Sequence, residues 1–165
     1  MTTLLKPLFL GPPVWRVAAA ESLTVGRVQA RIGAESGSSG YFVGGITAYT
    51  LEAKVKHLGV DRGEAVRTAC VSARVAEEMA VGVCRLFGVD FGVSTTGWAE
   101  PDPSVGVAHP FAWWGIAHCD PASGAALELL SGRIELPGAS RSEAQAQVAD
   151  HVIDQLAKRV RQLRG

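Results

Sequence analysis

Val75, Met79, Val83 and Leu86 recur at steps of three and four residues, which places them on one face of a helix. That helix is predicted to begin after Ser72 and to stop at Gly88. Upstream, Val14 to Ala20 is a short apolar run after two prolines and predicts a buried strand. Ser22 or Thr24 can cap a following helix through Ala34, with Val25, Val28 and Ile32 on one side. GAESGSSG is a turn by composition, and Val43 to Tyr49 is a second strand. Thr50 caps a helix through His57 or Leu58, and Gly59 ends it. Phe91 to Thr95 predicts a third strand, followed by the turn TGWAEPDPSVG. Phe111 to Ala117 and Leu127 to Leu136 predict a pair of adjacent strands. The last helix spans Arg141 to Leu163, with Ser140 at its cap.

Strand and helix alternate, and a strand pair follows. The fold expected is a three-layer α/β/α sandwich with a mixed, largely parallel sheet. Residues 1–165 read as a single domain, with residues 1–13 an irregular N-terminal segment.

Composition narrows the function classes. Hydrophobic residues make up 47% of the chain and charged ones 19%, which supports a packed core. Sixteen basic residues balance sixteen acidic ones, so neither nucleic acid nor an anionic membrane is an expected partner. Cys70, Cys84 and Cys119 are odd in number and widely spaced, which fits a reducing, cytoplasmic setting. MTTLLKPLFLGPPVW is broken by three prolines and lacks the continuous apolar region of a signal peptide. The four histidines have neither HxxxH nor HExxH spacing, so no metal site is expected.

Two stretches offer chemistry. GVSTTG places the hydroxyls of Ser94, Thr95 and Thr96 at the end of a buried strand, where a ligand can approach closely. GSSGYFVGGITAYTLEAK carries two serines in a turn, then Tyr49, then Lys54. A serine hydroxyl needs a base beside it to act as a nucleophile, and a desolvated lysine can serve. Lys54 falls near the positive end of its predicted helix, where an ammonium is disfavoured. The plainer reading is also open: a capped turn at Ser39 and a solvated lysine.

The stretches AESLTVG (Ala20 to Gly26), GSSGYFVGGITAYTLEAKVKHLGV (Gly37 to Val60) and VSTTGWAEP (Val93 to Pro101) resemble the C-terminal domain of the competence-damage-inducible CinA proteins. Weaker matches follow at HPFAWWGIA and at Arg141, so the resemblance spans about Ala20 to Leu156. It implies hydrolysis of the carboxamide of nicotinamide mononucleotide to nicotinic acid mononucleotide and ammonia, through an acyl-enzyme and with no metal or other cofactor. It implies Ser39 as nucleophile, Lys54 as general base and Tyr49 as the residue that moves or positions the proton. It places Ser38, Thr96, Gly97, Arg141, Ser22 and Thr24 at the substrate, with Arg141 on its phosphate. A homo-oligomer is implied as well.

The chain departs from that pattern at Leu23, Val25, Thr50, Leu51, His109, Ala112 and Gln145, and its glycine-rich loop is shortened to WAEPDPSVGVAHPFA. A second function therefore stays open beside the amidase: a module that binds a nucleotide or protein without turnover.

Overall fold

The computed structural model describes residues 4–165. Five strands form one sheet: β1 (Val17–Glu21), β2 (Phe42–Thr47), β3 (Phe91–Trp98), β4 (Phe111–Cys119) and β5 (Ala126–Glu135). Their order across the sheet is β2-β1-β3-β4-β5. The first three are parallel, and β4 runs antiparallel to both β3 and β5. Four of the five strands thus point the same way, as expected for a mixed, largely parallel sheet.

β1, VAAAE, is buried at all five positions. A strand with no exposed face needs cover on both sides, and six helices provide it. The helices α1 (Lys6–Phe9), α2 (Arg27–Gly33) and α6 (Arg141–Arg164) cover one face. There Val28, Ile32, Val152 and Leu156 pack on Val17, Ala19, Phe91 and Val93. The helices α3 (Leu51–Leu58), α4 (Arg62–Arg67) and α5 (Ala73–Phe87) cover the other face, where Val75, Met79, Ala80 and Val83 meet Ala18, Ala20 and Ala117. No helix among the described residues is long and apolar enough to cross a membrane.

Local signals explain most boundaries. Thr50 Oγ1 accepts the Ala53 amide, and Gly59 ends α3 in the left-handed conformation at φ 69°. Ser72 caps α5, and Ser140 with Glu143 forms a reciprocal capping box at the start of α6.

Three expectations need correction. The helix expected from Ser22 or Thr24 begins only at Arg27, because the Glu21 carboxylate takes the amides of Gly26, Val28 and Gln29 and fixes residues 22–26 as a turn. β3 extends beyond Thr95 to Trp98, since its pairing with β4 continues to Trp98 opposite Phe111. Part of the segment expected to be irregular forms the helical turn α1, and residues 1–3 of that segment lie outside the described residues. The Glu35 carboxylate holds the Leu5 and Lys6 amides, and Phe9 stacks on Tyr41 at 5.4 Å.

The approach of α3 to α5 depends on a missing side chain. A Cβ at Gly82 would lie 2.1 Å from the Leu58 carbonyl oxygen at the end of α3. Gly82→Ala is expected to cost about 2–3 kcal/mol by forcing the two helices apart. Chemical denaturation measures this, and a loss below about 0.5 kcal/mol would contradict so close a crossing.

Candidate active site

The chain leaves β1 towards β2 on one side and returns through β3 on the other, so the strand order reverses at β1. In open α/β sheets, a crevice forms beyond the carboxyl ends of the strands at such a point. Ser22 is the first residue past β1. Its amide donates to the Thr95 carbonyl at 3.0 Å, and the Ala48 amide donates to the Glu21 carbonyl at 2.9 Å. The sheet thereby fixes the main chain on both sides of Ser22.

The buried Glu21 side chain fixes the turn that follows. One carboxylate oxygen accepts the Thr24 hydroxyl at 2.6 Å, the Gly26 amide at 2.9 Å and the Val28 amide at 3.1 Å; the other accepts the Gln29 amide at 2.8 Å. A carboxylate at the start of α2 also meets the positive end of the helix dipole. Thr24 then lies 2.7 Å from the Thr95 hydroxyl, tying the turn to β3.

Lys54 is the fourth residue of α3, and its side chain is directed back over the strand ends. It is 1% exposed. Its Nζ lies 2.9 Å from Ser22 Oγ, 2.9 Å from the Ala48 carbonyl and 3.1 Å from the Tyr49 carbonyl. All three partners are uncharged. Burial lowers the pKa of the amine from the ordinary lysine value, against a smaller opposing effect of the nearby Cys70. Glu52, two residues earlier, is paired to Arg62 on the surface.

Ser22 and Lys54 open onto a cavity of about 330 Å³ lined also by Tyr49, Cys70, Thr96, Trp98, Glu100 and Arg141. One wall is the turn after α4, where Ala69 and Cys70 adopt φ 51° and 64°. Left-handed backbone at two successive non-glycine residues is strained and persists only where its surroundings enforce it. The Thr96 hydroxyl donates to the Cys70 carbonyl at 2.6 Å, and the Ser72 hydroxyl donates to Glu64 at 2.7 Å. At the mouth, Arg141 donates to Glu100 at 2.6 Å and to the Tyr49 phenol oxygen at 3.0 Å.

The structure gathers Ser22, Lys54, Tyr49, Thr96, Gly97 and Arg141 around this cavity. It does not bring Ser38 or Ser39 there. Both belong to a 3-10 turn (Ser38–Gly40) that precedes β2, whereas Lys54 faces the residues that follow β2. Six strand residues at about 3.3 Å each separate the two ends by roughly 20 Å. Ser38 Oγ instead donates to the Gly33 carbonyl at 3.3 Å. The pairing of Ser39 with Lys54 is therefore corrected: the hydroxyl beside the amine is Ser22.

Two further roles also shift. Thr24 is fully buried behind the turn and does not line the cavity. Tyr49 contacts Lys54 through its carbonyl, while its phenol meets Arg141. Glu21, Cys70 and Glu100 were missed as site residues. Glu21 had no local signal, because the amides it accepts lie five to eight residues ahead, beyond the reach of an ordinary helix cap. Glu100 had none, because its partner Arg141 is 41 residues away.

Among the described residues, no cluster of three His, Cys, Asp or Glu side chains is arranged to hold a metal ion. The fold and site define a three-layer α/β protein with a buried amine–hydroxyl pair at its switch point. Comparison with known proteins then places it further. The family model of the CinA C-terminal domain matches residues 12–160, and the chain belongs to that family.

The CinA-like protein of Mycolicibacterium vanbaalenii is 47% identical over 85 residues, which are 52% of this chain and 20% of that protein. The CinA-like protein of Picosynechococcus is 42% identical over 105 residues, 64% of this chain and 25% of that protein. The matched segments are thus only about a fifth to a quarter of these relatives' length. A CinA superfamily protein from Klebsiella pneumoniae shares the fold with a TM-score of 0.80 at 23% identity, covering 90% of this chain and 88% of that one. A competence/damage inducible protein from Agrobacterium tumefaciens gives 0.77 at 25% identity, covering 92% and 86%.

Glu21→Ala would leave three amides and the Thr24 hydroxyl without their acceptor. It is expected to cost about 3 kcal/mol, and Glu21→Gln less, because the amide oxygen still accepts. Urea denaturation checks the order; equal stability of Glu21→Ala and the parent would remove Glu21 as the anchor of the turn.

Proposed function

We propose that the chain is a serine amidohydrolase in which Ser22 is the nucleophile and Lys54 the general base. Its substrate is the carboxamide of a nicotinamide ribosyl compound. Nicotinamide mononucleotide is the member of that class implied by the family resemblance. The observation that carries the reading is the 2.9 Å contact of Lys54 Nζ with Ser22 Oγ, made by a buried amine that has no carboxylate among its hydrogen-bond partners.

The contacts suit a neutral amine. Its two N–H groups donate to the Ala48 and Tyr49 carbonyls, and its lone pair is left for the Ser22 hydroxyl proton. Burial and the first turn of α3 both disfavour the ammonium.

In the first half-reaction, the Ser22 proton passes to Lys54 Nζ as Oγ bonds to the carboxamide carbon. The tetrahedral oxyanion needs amide donors, and the turn after Ser22 supplies a candidate. Among the described residues, the Leu23 amide has no protein acceptor, and Leu23 lines the cavity. Lys54 returns its proton to the leaving nitrogen, the C–N bond breaks and ammonia departs. In the second half-reaction, water attacks the Ser22 ester. Lys54 takes a proton from the water and passes it to Ser22 Oγ, releasing the carboxylate. Tyr49 and Arg141 shape the mouth through which the substrate enters.

Ammonia release from nicotinamide mononucleotide and from its nucleoside tests the reading. Ser22→Ala and Lys54→Ala are expected to lower kcat/KM at least about a thousandfold, and Ser39→Ala less than about twofold. Ser22→Ala with parental activity would overturn the assignment of the nucleophile. The pH dependence has a defined sign, because only the neutral amine is a base. Activity rises with pH as Lys54 deprotonates and levels off below the free-lysine value of 10.5. A rate that falls over that range would contradict Lys54 as the base.

A further inference from the structure

The rim of the cavity selects among carboxamides by charge. Four charged side chains line it: Lys54, Glu100, Asp102 and Arg141. Lys54 is sealed against Ser22 and two carbonyls at the cavity floor. Arg141 is already held from two sides, by the Glu100 carboxylate at 2.6 Å and by the Tyr49 phenol at 3.0 Å. Asp102 adds a second carboxylate, whose Oδ1 accepts the Ser104 amide at 3.1 Å and its hydroxyl at 2.5 Å. The rim therefore has two carboxylates and one guanidinium, which one of those carboxylates already engages.

Several neighbouring donors are also engaged by the protein itself. The Thr96 hydroxyl donates to the Cys70 carbonyl. At the start of α6, the Ser140 and Glu143 amides are closed by their own capping box, which brings a further carboxylate to that end. Arg27 does not line the cavity; its Nη2 donates to Gln145 at 3.1 Å and to Ser142 at 3.3 Å.

From this arrangement we infer that the site takes a carboxamide on a cationic pyridinium nucleoside in preference to the 5′-phosphorylated form. The inference rests on the amidohydrolase reading for its carboxamide and adds the charge of the rest of the substrate. An N-ribosyl pyridinium carries one positive charge, which Glu100 and Asp102 attract. A phosphomonoester brings close to two negative charges near neutral pH, which the same carboxylates repel and for which Arg141 must first leave Glu100.

The experiment compares nicotinamide riboside with nicotinamide mononucleotide on the purified full chain. It measures kcat/KM by ammonia release and Kd by calorimetry. The nucleoside is expected to be favoured about tenfold in both, with the preference shrinking as salt is raised. Glu100→Gln, an exposed change that keeps the side-chain shape, frees Arg141 and is expected to move the ratio about fivefold towards the nucleotide. A parental preference for the nucleotide, or a ratio unmoved in Glu100→Gln, would overturn the inference. If neither compound is hydrolysed, the amidase reading falls and the calorimetric ratio still decides the charge preference. If both are hydrolysed with the nucleotide favoured, the amidase reading stands and the selectivity falls. Failure of both compounds to bind would overturn both readings.

Discussion

An amine enclosed by protein must either lose its proton or bear the cost of holding a charge away from water. At Lys54, the enclosure is made by the ends of β1 and β2 and by the first turn of α3, and no acidic side chain hydrogen-bonds Nζ. Much of the surrounding fold can be understood as the means of maintaining that condition. The alanines of β1 allow helices to lie close on both faces, and the absence of a side chain at Gly82 lets α3 approach α5. A bulkier strand or a wider helix crossing would let water reach the amine, and a hydrated lysine keeps its proton at neutral pH.

Ser22 gets its position from the sheet and its orientation from Glu21. The strand ladder on either side sets the main chain, while the carboxylate gathers the turn and the start of α2 around one buried charge. The opposite wall, at Ala69 and Cys70, holds left-handed backbone that most residues avoid. Glu64, Ser72 and Thr96 fasten its two ends. The strain lies beside the buried amine–hydroxyl pair, and backbone strain of this kind persists only where the surrounding structure enforces it. Arg141 spans the mouth between Tyr49 and Glu100, so the ion pair of the site lies at its outer part.

Elements governed by neighbouring residues were legible in the sequence. Thr50, Ser72 and Ser140 announced their helices, Gly59 and Gly88 ended theirs, and the spacing of Val75, Met79 and Val83 gave the buried face of α5. The lysine was also legible, from its place in the first turn after a strand. Its partner was not. Two serines in a turn point to Ser38 and Ser39, yet β2 carries the chain a full strand length from that turn to the end of the sheet where Lys54 lies. The same logic, applied to strand ends, would have favoured Ser22, because parallel strands deliver their carboxyl ends to one edge. Glu21 escaped notice because its amides lie five to eight residues ahead, beyond the usual capping reach, and Glu100 because its partner is distant in the chain.

The protonation state of Lys54 tests this account most directly. With the chain labelled at the lysine side chains, the NMR resonance of the Lys54 ε-carbon can be followed with pH, using Lys54→Met to assign it. The account predicts a transition clearly below the 10.5 of a free lysine and a shift in that transition when Ser22 is replaced by alanine. A resonance that titrates with the exposed lysines, and is indifferent to residue 22, would contradict it.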